Sequence, residues 1–100
     1  MLSLNRDQIL SSLTTNMETL QRYGVEHIGL FGSFARNDFN PESDIDILVE
    51  FSSGQKTFPN YMGLKIFLED LFNRKIDLVI KEKVKPRLKA RIIDETIYAA

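Results

Sequence analysis

Apolar positions along the chain recur with two periods, and each period predicts an element. Between residues 5 and 22, Ile9, Leu13, Met17 and Leu20 are spaced by four, four and three, the stripe of one amphipathic helix that Gly24 ends. VEHIGLF (25–31) follows as a buried strand, and SFARND is long enough for one or two helical turns only. DIDILVEF (44–51) alternates polar with apolar residues as a second strand and leads into the polar loop SSGQKTF. Pro59 suits the first position of another helix, in which Met62, Leu64, Ile66, Leu68, Leu71 and Phe72 form a wide apolar face that reads as core. KIDLVI (75–80) is a third strand, and Pro86 opens a last helix running through Ile92 and Ile93 toward Ile97. The order α-β-α-β-α-β-α predicts an α/β (α+β) domain, a small sheet flanked by helices.

Length and composition narrow the picture without overturning it. One hundred residues, with no repeat, linker or low-complexity tract, predict one domain over residues 1–100. A formal net charge of −1 argues against direct binding of nucleic acid, which ordinarily draws on a basic excess. No cysteine is present, so disulfides and thiolate metal sites are excluded. The start MLSLNRDQIL lacks the pattern of a signal peptide, and no apolar run reaches a membrane-spanning length. A cytoplasmic protein without membrane contact is the expectation.

The second strand contains an anomaly. Successive strand residues point to opposite faces, so Asp44 and Asp46 share one face while Ile45, Ile47, Val49 and Phe51 share the other. Asp77 holds the same polar position in the third strand, opposite Ile76, Leu78 and Ile80. If these strands are neighbours, three carboxylates converge. At roughly 5 Å and an effective dielectric of about 20, each pair repels by about 3 kcal/mol. A hard cation offsets that repulsion, and Mg²⁺, which takes few carboxylates together with substrate phosphates, fits a sparse cluster better than Ca²⁺. The structural alternative is that the aspartates end their strands or pair with Arg74 or Lys75.

Gly32 and Ser33 form a turn between an apolar strand and a short helix. Such a turn lets a backbone approach an anion closely, with free N–H groups and a hydroxyl to bind phosphate oxygens. Ser33 can equally serve as a helix N-cap. Neither the dinucleotide G-x-G-x-x-G nor a P-loop is present.

GSFARND…SDIDILV followed by KIDLVI resembles the DNA-polymerase-beta-type nucleotidyltransferase superfamily, and more narrowly its minimal nucleotidyltransferases, over nearly the whole chain. The resemblance implies a small mixed sheet and transfer of AMP from ATP to a hydroxyl. It assigns nucleotide phosphates to Gly32 and Ser33, two Mg²⁺ ions to Asp44 and Asp46, and a shared metal beside the attacking hydroxyl to Asp77. Arg36 is a candidate phosphate contact, with pairing to Asp38 or Glu42 as the alternative. Asn37 stands where relatives often have glycine, and asparagine tolerates the left-handed backbone that such a position requires.

With one domain expected over these 100 residues, the acceptor is expected to come from another molecule. The resemblance supplies one in a small helical toxin of the HEPN group, which implies a hetero-oligomer, an antitoxin role and a tyrosine as the modified residue. Two other readings remain open: an antitoxin that neutralises by binding alone, and a transferase with a small-molecule acceptor. KEKVKPRLKAR (81–91), with six basic residues and one acid, either faces the triphosphate or an acidic partner, or is a solvated helix face. His27 reads as a buried or edge strand residue, and Tyr98 as a packing or partner contact on the last helix.

Overall fold

The N-terminal stripe folds as two helices where one was expected. In the computed structural model, which describes residues 4–100, α1 spans Arg6–Thr15 and α2 spans Met17–Arg22. Residues 1–3, part of the expected 1–100 domain, lie outside the described residues. Asn16 breaks the run at φ −100° and ψ 18°, and its side-chain amide donates to the Ser12 carbonyl at 2.8 Å. Such local side-chain bonding competes with helical continuation. Asn5 and Gln8 close a capping box at the start of α1. Ile9, Leu13 and Leu20 are fully buried, so the stripe still faces one core across the break.

The remaining elements follow in order: β1 (Val25–Phe31), α3 (Gly32–Arg36), β2 (Ile45–Phe51), α4 (Phe58–Phe72), β3 (Ile76–Ile80), a 3₁₀ turn (Lys81–Lys83), α5 (Pro86–Glu95) and β4 (Ile97–Tyr98). Thr57 caps α4, with Pro59 just inside the start, and Asn73 ends it in left-handed geometry at φ 49°. The last helix stops earlier than its pattern suggests. Ile97 and Tyr98 are a short strand, paired antiparallel with Leu30 and Gly29 of β1. Thr96, Ile97 and Tyr98 are β-branched or aromatic, and the otherwise open edge of β1 offers them backbone partners.

The strands form one mixed sheet in the order β3-β2-β1-β4, with β2 and β3 parallel and the other pairs antiparallel. The parallel pair needs a crossover, and α4 is part of it. Ile45, Ile47, Val49, Ile76, Leu78 and Ile80 join Ile9, Leu13, Leu20, Leu64, Leu68 and Phe72 in the core. Each fully buried aliphatic side chain is worth about 1.5–3 kcal/mol relative to exposure, so this face fixes which way the alternate residues point. Ile66 departs from the expected core face of α4 and is 54% exposed. Leu64 and Leu68, one turn apart, define the buried side, and Ile66 projects away from it. Among the described residues, no helix is long and apolar enough to cross a membrane.

Candidate active site

The alternation on β2 and β3 places the acidic residues as the core requires. Ile45 pairs with Ile76, Asp46 with Asp77 and Ile47 with Leu78 in parallel register. Asp46 is half-buried and Asp77 exposed, and the two stand directly across from each other in the register. Burial pushes the Asp46 carboxyl up to about 6, and the proximity of Asp77 and then the charge of Asp44 push the same way, against Arg36. Asp44 is exposed, one residue before β2 begins, and acts on Asp46 through its charge. The strands therefore bring Asp46 and Asp77 together, with Asp44 at their margin. Among the described residues, no three His, Cys, Asp or Glu side chains are already gathered into a metal cluster.

The glycine turn abuts this pair. Gly32 is buried at φ +75°, and a Cβ there would run into the Asp46 carboxylate. Phe31 rather than Ser33 is the N-cap residue of α3, so the Ser33 hydroxyl is not used for capping. Gly32, Ser33, Arg36 and Asp46 line one recess of about 330 Å³, together with Phe31 and the α5 residues Leu88, Arg91, Ile92 and Glu95. Asn37 follows α3 at φ 63° and ψ 31°, in the left-handed conformation expected of it. Arg36 pairs with Asp38 at 3.2 Å, one of its two anticipated alternatives, and also with Glu95 at 3.3 Å.

The donor set suits a hard divalent cation. It consists of carboxylate oxygens without sulfur or imidazole, and Mg²⁺ takes such ligands. Two carboxylates in register, one with its pKa raised by burial and by the charge of the other, mark a place where positive charge is wanted. The residues present fit the ion.

Glu95 escaped the sequence reading, and Arg74 was read there only as a possible partner of an aspartate. Glu95 accepts a hydrogen bond from the Gly32 N–H at 3.0 Å, across 63 residues of sequence. Arg74 donates to the carbonyls of Pro41 at 3.0 Å and Ser43 at 2.9 Å, and its guanidinium lies 5.4 Å from the Phe34 ring centre. Phe34 in turn stacks on Phe39 at 4.3 Å. Arg74 thus pins the loop that delivers Asp44 instead of pairing with an aspartate. No periodicity signals either residue, although an arginine beside a strand bearing Asp77 was a reason to look. Of the basic run 81–91, Arg91 reaches the recess, while Lys81 pairs with Glu50. His27 is exposed, its Nδ1 3.3 Å from the Ala100 carbonyl oxygen, and does not line the recess.

Known proteins share this arrangement of elements. The chain is 34% identical over 99 residues to the protein adenylyltransferase MntA of Thermococcus cleftensis, across 98% of this chain and 99% of that one. A solved structure provisionally described as a minimal nucleotidyltransferase superposes with a TM-score of 0.83 at 28% identity, covering 97% of this chain and 98% of the other. A chain from the complex of tri-AMPylated Shewanella oneidensis HEPN toxin with MNT antitoxin shares the fold, with a TM-score of 0.64 at 18% identity over 91% of this chain and 71% of that chain. The family profile of the nucleotidyltransferase domain matches residues 13–99, and the chain belongs to that family.

Proposed function

We propose that the protein transfers AMP from ATP to a hydroxyl, a tyrosine, on a small helical HEPN-type partner and thereby acts as its antitoxin. The observation that carries this reading is the Asp46–Asp77 pair, in register on parallel strands and directly against the Gly32 turn. That juxtaposition sets a carboxylate centre beside backbone and guanidinium donors suited to a triphosphate. Support for the acceptor comes from the kinship with MntA and from the fold shared with a chain of the AMPylated toxin complex.

In this reading, the acceptor oxygen attacks the α-phosphorus of ATP in line, a new P–O bond forms, and pyrophosphate leaves with the broken bond's electron pair. Gly32, Ser33 and Arg36 bind the β- and γ-phosphate oxygens and orient the leaving group. Asp44, Asp46 and Asp77 would hold two Mg²⁺ ions, which neutralise the triphosphate and acidify the acceptor hydroxyl. Asp77, exposed beside Asp46, takes the hydroxyl proton on a carboxylate oxygen. Incubation with ATP labelled at the α-phosphate, Mg²⁺ and the HEPN-type partner should label the partner and release pyrophosphate. An unlabelled partner that nevertheless binds the protein would sink the transfer reading.

A further inference from the structure

The phosphate donors of the turn are already engaged by an anion of the protein itself. Glu95, at the end of α5, takes the Gly32 N–H at 3.0 Å and contacts Arg36 Nη1 with both carboxylate oxygens at 3.3 Å. A backbone N–H beside a guanidinium is the donor set that a phosphate oxygen would require. The contact is not explained by charge balance alone, because Arg36 already pairs with Asp38. It also introduces a further carboxylate into the recess that holds Asp46.

We propose that Glu95 is a built-in occupant of the phosphate seat, displaced by the incoming triphosphate, and that it thereby sets nucleotide affinity. This rests on the nucleotidyltransferase reading of the site. Two features make displacement feasible. α5 has no fully buried side chain, and β4 fixes the backbone just beyond Glu95, so its carboxylate can swing away by side-chain rotation alone. Arg91 lies four residues before Glu95 and lines the same recess, which gives the released carboxylate a cation at helical i,i+4 spacing. Glu95 therefore has an alternative partner on its own helix, while Gly32 and Arg36 pass to the phosphate.

Removing the competitor should tighten binding of phosphate-bearing ligands and leave a ligand without phosphate unaffected. Calorimetric titration of wild type, Glu95→Gln and Glu95→Ala with MgATP, with inorganic tripolyphosphate and with adenosine separates these effects. Glu95→Ala should bind MgATP and tripolyphosphate roughly tenfold more tightly than wild type, the scale of one charged hydrogen-bonded contact. Glu95→Gln, nearly isosteric and still able to accept, should fall between them and remains informative if the alanine variant fails to fold. In wild type, the Gly32 amide resonance should shift on adding tripolyphosphate. Unchanged or weaker MgATP binding in both variants overturns the proposal while wild-type binding keeps the nucleotide reading. An equal gain for adenosine, marking general loosening, also overturns it. If no variant binds any phosphate ligand, the site reading fails as well.

Discussion

On β2, Ile45, Ile47 and Val49 are fully buried among apolar neighbours, whereas Asp46, between two of them on the opposite face, is half-buried beside Asp77. The apolar face satisfies every local preference: β-branched residues on a strand and a common core with four helices. The acidic face violates those preferences, with two carboxylates in cross-strand register. The first face holds the sheet together strongly enough for the second to remain electrostatically unfavourable. Stability and proposed chemistry are thus separated by a single step along one strand, and substitutions on the two sides should fail in opposite ways.

The widest separation is expected from Asp46→Asn. AMP transfer should fall by roughly a thousandfold, about 4 kcal/mol in the barrier, while the metal-free protein melts at a higher temperature because the Asp46–Asp77 repulsion is relieved. A variant that still neutralises its partner fully would point to antitoxicity by binding alone. Ile47→Ala should do the reverse. Loss of a fully buried side chain costs about 2–5 kcal/mol in denaturant unfolding, yet the folded fraction should retain per-molecule transfer activity.

Arg74→Ala tests whether the loop that delivers Asp44 matters. It removes the two carbonyl contacts at Pro41 and Ser43, with an expected loss of about tenfold in transfer, or about 1.4 kcal/mol. Global stability should change little; a melting shift as large as that of Ile47→Ala would make Arg74 a stability residue.

The smallest effect is the dependence on pH. The Asp46 carboxyl rises from an ordinary 3.8 to about 6, so the folded protein holds that proton more tightly than the unfolded chain. Below pH 3.8 both states are protonated, and as the pH climbs through about 6 the folded state loses stability relative to the unfolded. With solvent screening of a half-exposed group, the loss should be about 1 kcal/mol. Chemical denaturation of metal-free protein at pH 5 and pH 7 measures it, and Asp46→Asn should remove the difference.

Legibility in the sequence followed the range of the interactions. The strands from 44 to 51 and from 75 to 80 could be read because alternation is local, and the same alternation placed Asp46 and Asp77 on one face. Their adjacency was conditional on strand order, which no single segment encodes. Asn37 was legible because few residue types adopt left-handed geometry. The break at Asn16 was hidden by a hydrophobic stripe that continues through it. β4 was hidden because two residues are too few to display a period, and its pairing depends on β1, nearly seventy residues upstream. The roles of Glu95 and Arg74 were hidden for a related reason: they bond backbone atoms 63 and 31–33 residues away, which leave no mark in composition.

The missing side chain at Gly32 joins the nucleotide turn to Asp46 so closely that neither can be redesigned alone. A bulkier residue introduced there to alter ligand preference would shove the proposed metal ligand aside at the same time. Efforts to broaden or redirect the enzyme are better aimed at α5, which buries no side chain fully and whose Leu88 and Ile92 border the same recess.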